Sequence, residues 1–199
     1  MCGRYALLNP NKIFDRFGTV NQLQQLMANA DMRPTQLAPV VTMDRQATLM
    51  RWGLIPSWAK DPAVGQKMIN ARAEGIDQKP SFRKPLRVSR CIIPATGFYE
   101  WQATAHGKVK YLFTRPDDEM FGFAGLCDTW IDPNGERRET FTIITTAPNE
   151  IVAPVHDRMP VILQQADEAA WLDKDEDDVP YLLSFLKPLP ADELVAQVA

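Results

Sequence analysis

Hydrophobic and polar positions change their period several times along this chain. Ile13, Phe14 and Phe17 fall at helical spacing behind Asn9-Pro10, and Gly18 stands where such a helix would close. Residues 21–30 extend this pattern as a second predicted helix. From Leu37 to Ile55 the apolar runs shorten to strand length, with Pro39 and Pro56 as punctuation. Residues 57–90 are irregular and polar. A stretch of this length without periodicity in a compact domain often carries function.

Strand patterns then dominate. Cys91-Ile92-Ile93, Phe98 to Trp101, Val109 to Phe113, and Phe121 to Trp130 are divided by turn sequences. Those turns are Ala105-His106-Gly107, Arg115-Pro116-Asp117-Asp118 and Asp132-Pro133-Asn134-Gly135. Thr140 to Thr145 forms a further strand, Pro148 to Val152 a short helix, and Val161-Ile162-Leu163 a last strand. Asp167 to Leu172 and Pro180 to Leu186 carry apolar helical faces, and Pro190 opens a third helix. The sum is an α+β fold in one domain over residues 1–199. Its core is a curved antiparallel or barrel-like sheet with peripheral helices. Period and turns leave the strand order open.

Composition narrows the class. The chain has 199 residues, enough for one substantial core and short for two. No apolar run approaches a membrane span, and no signal pattern precedes Cys2. The expected compartment is the cytoplasm. The three cysteines, Cys2, Cys91 and Cys127, include no CxxC pair. With only two histidines, this points away from disulfides, zinc and any metal cofactor.

The net charge of −3 conceals an asymmetry. From residue 165 onward nine acidic residues face two lysines, leaving the first 164 residues at +4. The densest basic stretch runs Arg83-Lys84-Pro85-Leu86-Arg87-Val88-Ser89-Arg90, with Arg72 not far before it. It reads either as a solvated charged edge or as a phosphate-contacting strip.

Several residues carry chemical possibilities. Removing Met1 would leave Cys2 with a free amine, pKa about 8, beside its own thiol, pKa about 8.5. Such an aminothiol condenses with an aldehyde: the amine forms an imine, and the thiol closes a five-membered thiazolidine. Glu100 lies among aromatic residues in Gly97-Phe98-Tyr99-Glu100-Trp101, and alternation puts it on the face of Phe98. If that face is the core, the carboxyl pKa rises into the range of a general acid or base; an edge strand would turn it to water instead. His156 falls in a turn of the kind that often carries catalytic groups, whereas His106 reads as an exposed hairpin tip. Asn70 either caps a short helix or presents its amide to a reacting group. Trp58 either fills the core or stacks on a base from an exposed loop.

Read in order, these segments resemble the SRAP family, the SOS-response-associated peptidase or abasic-site processing proteins. The matching motifs are Met1-Cys2-Gly3-Arg4, Arg51-Trp52-Gly53-Leu54-Ile55-Pro56, Ile69 to Glu74, Cys91-Ile92-Ile93-Pro94, Gly97 to Trp101, Thr145 to Asn149 and Val155 to Pro160. They span residues 1 to about 165; the acidic, helix-patterned segment from about 166 to 199 adds none. The resemblance implies a monomer that binds single-stranded DNA containing abasic sites, without a cofactor, in the cytoplasm and on the nucleoid. It implies a thiazolidine DNA–protein crosslink through Cys2, autocatalytic loss of the preceding residue, and a β-elimination lyase activity. Asn70 would orient the reacting groups, Glu100 would shuttle protons, and His156 would assist sugar ring opening and crosslink reversal. Arg4, Arg72, Arg83 and Arg158 would contact phosphates, Thr145 would add a hydroxyl, and Trp58 would stack on a base. Ala59 stands where some relatives carry a second tryptophan, which weakens the expectation of junction recognition.

Two other functions fit parts of the pattern. An N-terminal-nucleophile glutamine amidotransferase also exposes a cysteine after Met1, but leaves the basic strip and Trp58 without a role. A non-covalent single-stranded DNA-binding module would make Cys2 incidental.

Overall fold

Strand β10 (Arg137–Thr146) is the hub around which a computed structural model, describing residues 2–24 and 26–199, is organised. One edge of β10 pairs antiparallel with β9 (Phe121–Ile131), from Arg137 opposite Ile131 to Ile143 opposite Gly125. Its other edge pairs in parallel, first with β4 (Ala47–Trp52) and then with β5 (Asn70–Arg72). β4 continues to β3 (Leu37–Thr42), β3 to β6 (Arg90–Ala95), and β6 to β9. The β9–β10 pairing therefore closes five strands into a barrel without free edges. β11 (Met159–Pro160) lies against the end of β10.

A second sheet packs beside the barrel. Its order is β12 (Val195–Val198), β8 (Gly107–Thr114), β7 (Gly97–Thr104), β1 (Tyr5–Leu7) and β2 (Asn29–Met32), all antiparallel. Tyr5 joins the two: its ring lies 5.3 Å from Trp52 and meets Phe123 edge-on at 5.8 Å. Trp52 in turn stacks on Phe141 at 6.2 Å. These rings are fully buried and supply much of the core's apolar area.

The helices are short and peripheral: α1 (Ile13–Phe17), α2 (Arg83–Val88), α3 (Glu168–Trp171) and α4 (Val179–Ser184). α1 ends as its sequence predicts, on Gly18 in the left-handed conformation. The α+β reading with a barrel-like sheet therefore holds.

Several local expectations do not. Among the described residues of 21–30 there is no helix; Gln25 lies outside them, as does Met1, whose removal is part of the Cys2 expectation. The Asn21 side chain instead pairs with both the N–H and the carbonyl of Ala47, tying this segment to the start of β4. Pro39 lies inside β3 rather than ending it. The strand's pairing with β6 is confined to Val41 and Thr42, so Pro39 has β4 as its only neighbour and its missing N–H breaks no ladder bond. In place of a helix at 148–152 the chain forms turns over residues 150–155, because the Asn149 carboxamide accepts the Ile151 and Val152 N–H groups. The strand predicted at 161–163 reduces to one bridge, Ile162 to Phe123, beyond β11. The tail after Pro190 makes a single 3-10 turn and then β12, since the open edge of β8 offers it a ladder.

The acidic C-terminal segment is docked by one buried cation. Arg90 is fully buried and donates to the carbonyls of Trp171 (2.7 Å), Leu86 (2.8 Å), Arg87 (2.8 Å), Glu176 (3.0 Å) and Asp173. One side chain thus closes the C-terminal ends of α2 and α3 together.

Candidate active site

Cys2 lies in the seam between the second sheet and the barrel. Residues 2–4 continue the line of β1 along β7: the Tyr99 N–H donates to the Arg4 carbonyl at 2.9 Å. Tyr5 pairs with Phe98, and the same register carried back two residues sets Gly3 across from Glu100. The Cys2 side chain is fully buried, and its thiol makes a long contact of 3.8 Å to the Arg4 carbonyl. Burial first, and the Glu100 charge second, push the thiol pKa far up, so the sulfur rests as a thiol.

Three further groups converge there. Asn70 opens β5, set by its parallel register with Ile143, and caps no helix. Its amide donates to the Cys2 carbonyl at 2.8 Å, while its own Oδ1 is buried without a hydrogen-bond partner among the described residues. Glu100 shares the inner face of β7 with Phe98, as alternation predicts, and is buried. Desolvation pushes its carboxyl up to about 7, so both protonation states are populated near neutrality.

His156 follows the Asn149 turns, with its Nε2 3.8 Å from Glu100 Oε2. Its Nδ1 accepts the Arg158 N–H at 3.0 Å and lies 2.9 Å from Asp157 Oδ1. Accepting that N–H requires an unprotonated Nδ1, which in the neutral ring puts the proton on Nε2, toward Glu100; the Asp157 carboxylate at the same nitrogen favours a proton on Nδ1, so the two contacts pull the ring in opposite directions. Burial lowers the imidazole pKa, favouring the neutral form.

The remaining predicted residues divide into outer and inner groups. Arg4 lies over the Trp101 ring at 5.4 Å and pairs with Asp31 at 3.4 Å. Arg72 is exposed at the end of β5. Trp58 is 61% exposed, not core, and with Ser57, Pro80, Ser81, Arg83, Lys84, Pro85 and Asp128 it lines a cavity of about 390 Å³. Its loop is held from both sides: Ser57 donates to Asp128 at 2.7 Å and Ala59 accepts the Trp130 indole N–H at 2.7 Å. Gly53 and Gly65 let that loop close, because a Cβ on Gly53 (φ +123°) would stand 2.6 Å from the Gly65 carbonyl oxygen.

Of the basic side chains in that stretch, Arg83 and Lys84 line the cavity, whereas Arg87 binds the Asp177 carbonyl and Arg90 is internal. Thr145 is fully buried, and Arg158 is taken up by Glu74. His106 stays on its exposed hairpin tip. No group of three His, Cys, Asp or Glu among the described residues could hold a metal ion, and no helix there is long and apolar enough to cross a membrane.

Sequence reasoning missed Tyr5 and Glu74. The Tyr5 hydroxyl is buried without a hydrogen-bond partner among the described residues, and burial with the nearby Cys2 charge raises its pKa. Its place in an apolar strand gave no signal of this.

Fold and site together define a class of α+β barrel proteins whose second residue, a cysteine, is enclosed by an amide, a carboxyl and an imidazole from distant parts of the chain. The profile of the family described as SOS response associated peptidase (SRAP) matches residues 1–198, and the chain belongs to that family. It is 42% identical over 207 residues to the Bacillus subtilis protein named abasic site processing protein YoqW, covering 98% of this chain and 91% of that one. It is 38% identical to abasic site processing protein HMCES of Gallus gallus, over 70% of this chain and 48% of that longer protein. A crystal structure of a Bacteroides thetaiotaomicron protein superposes with a TM-score of 0.94 at 31% identity, covering 99% of this chain and 91% of that one.

Proposed function

We propose that this protein is an abasic-site sensor. It binds single-stranded DNA and, once Met1 is gone, joins the opened abasic sugar covalently through Cys2. The observation that carries this reading is a buried Cys2 whose carbonyl takes the Asn70 amide and whose thiol lies in the field of Glu100, itself 3.8 Å from His156. The names of the relatives supply the substrate class.

The chemistry needs a group that both gives and takes protons. The Cys2 amine adds to the aldehyde carbon, and the resulting carbinolamine loses water to form an imine. Protonated Glu100 gives the departing hydroxyl its proton. The thiol then adds across the C=N bond of the protonated imine: sulfur bonds to carbon, ionised Glu100 accepts the thiol proton, and the C=N electron pair returns to the nitrogen, which keeps its own proton. Glu100 near 7 serves both steps at neutral pH. Neutral His156, with Nε2–H toward Glu100, can exchange protons with the sugar hydroxyl during ring opening and reversal. The shared imine also permits β-elimination of the neighbouring phosphate.

Removal of Met1 is part of the same proposal. The Cys2 thiol adds to the Met1 carbonyl carbon, the peptide C–N bond breaks, and the thiol proton passes to the departing nitrogen to free the Cys2 amine. Water then hydrolyses the thioester and releases methionine. Asn70 holds the Cys2 carbonyl throughout.

Outside the pocket, Arg4, Arg72 and Arg83 would contact phosphates, and Trp58, exposed beside Arg83 and Lys84, would stack on a base. The protein acts as a monomer in the cytoplasm, nucleoid-associated when bound. The test is incubation with single-stranded DNA bearing one abasic site, followed by a denaturing gel. A heat-resistant shifted band that disappears in Cys2→Ala is expected. No band, or one that survives Cys2→Ala, overturns the reading, and glutaminase activity without crosslinking would point to an amidotransferase.

A further inference from the structure

The Glu74–Arg158 side-chain pair lies just behind His156, whose ring the Arg158 backbone touches. Arg158 Nη1 meets Glu74 Oε1 at 2.7 Å and Nη2 meets Oε2 at 2.9 Å, a fork that fixes orientation as well as distance. Nη2 also donates to the Thr145 carbonyl at 2.6 Å, and the same oxygen accepts the Ala73 N–H at 2.9 Å. Three segments are thereby fastened at one point: the end of β10, the chain just after Asn70, and the loop bearing His156.

Exposure shows which partner serves which. The Arg158 side chain is 11% exposed and Glu74 is 60% exposed, so the carboxylate reaches inward over a guanidinium already turned away from solvent. The guanidinium beside Glu74 keeps its carboxyl below the usual range, so the pair persists in mild acid. The backbone of the same arginine donates its N–H to His156 Nδ1 at 3.0 Å. That bond decides which ring nitrogen of the neutral imidazole carries the proton, much as a partner behind a ligating histidine does. Without the Arg158 N–H at Nδ1, the Asp157 carboxylate 2.9 Å from the same nitrogen would draw the proton there.

We propose that Glu74 is a positioning residue, acting through Arg158, that holds His156 in the Nε2–H tautomer facing Glu100. The inference rests on the abasic-site reading for its reaction and on the geometry alone for its structural half. A competing account makes Glu74 a stand-in for a DNA phosphate on Arg158. The depth of the guanidinium disfavours that account, and the test separates the two.

The experiment compares wild type, Glu74→Gln and Glu74→Asp as full chains, with thermal melts to establish folding. Nitrogen-15 spectra at pH 8 report the tautomer; only two histidines need assignment. Crosslinking to abasic single-stranded DNA is timed at saturating DNA, and non-covalent affinity is measured on undamaged DNA. Glu74→Gln should lose the Nε2–H signature and slow crosslinking by roughly tenfold or more, with affinity changed less than about twofold. Glu74→Asp should recover part of both, and it carries the test if the glutamine variant does not fold. An unchanged tautomer with unchanged rate overturns the proposal. So does severalfold tighter binding at unaltered saturated rate, the outcome of the phosphate account. If wild type forms no crosslink, the functional reading fails, while the tautomer spectra still decide the positioning role.

Discussion

The Asn70 amide reaches the Cys2 carbonyl at 2.8 Å across 68 positions of sequence. In the proposed reaction that bond fixes the backbone whose own amine and thiol attack one carbon in turn. Asn70→Ala removes the donor while leaving β5 paired. Loss of one directed bond of 1–3 kcal/mol predicts crosslinking slower by about tenfold to a hundredfold. Single-turnover kinetics at saturating DNA would show it; a rate within twofold of wild type would remove Asn70 from the mechanism.

Glu100 should cost the fold stability that the reaction needs. Its carboxyl titrates near 7 in the native chain and near 4.5 once unfolded. Between those values the native state holds the extra proton, so this group's contribution falls as pH rises from about 4.5 to 7 and is level above. Glu100→Gln should therefore slow crosslinking yet stabilise the protein at pH 8 by on the order of 2–3 kcal/mol, with little gain at pH 4.5. Denaturant melts at the two pH values check the sign, and a variant less stable at pH 8 would contradict it.

The Trp58 cavity should dominate non-covalent binding. Trp58→Ala is expected to weaken single-stranded DNA binding by about 1–3 kcal/mol with the salt dependence unchanged. Arg83→Ala should instead lower the slope of log affinity against log salt by about 0.7, the value for one phosphate contact on a single strand. Salt titrations of both variants distinguish stacking from charge; identical slopes for Arg83→Ala and wild type would return Arg83 to a solvated surface role.

Arg90 should be worth more than any surface charge. Arg90→Met keeps the stem but strands five carbonyls at the ends of α2 and α3. A loss of about 3 kcal/mol or more is expected, with early amide exchange in residues 171–178. Hydrogen exchange that leaves this segment protected would refute the docking role.

Tyr5→Phe makes the opposite prediction. It removes a buried hydroxyl without a hydrogen-bond partner among the described residues and keeps the ring contacts to Trp52 and Phe123. The melting temperature should rise, by about 1 kcal/mol of stability. A fall would mean that the hydroxyl has a stabilising partner in solution.

Much was legible before any coordinates. Alternation alone put Glu100 with Phe98, and Gly18 marked the end of α1, because these are local consequences of chain geometry. The α+β class followed from the same periods. The helix expected at 21–30, the strand at 161–163 and the helix after Pro190 were not legible. There the deciding bonds come from elsewhere: the Ala47 backbone for Asn21, and the open edge of β8 for β12.

The order of residue types along the chain determined the candidate set, since Cys2, Asn70, Glu100 and His156 each sit in a motif of their own. Only the tertiary structure decided what each of them is. Burial, which no single segment contains, raises the Cys2 thiol and brings Glu100 to about 7. The pairing of β5 with β10 sets the Asn70 amide against the Cys2 carbonyl, and the long-range approach of His156 to Glu100 brings Nε2 to 3.8 Å from Oε2. Desolvation and long-range pairing depend on what the rest of the chain excludes and supplies, so they are properties of the fold and not of any motif.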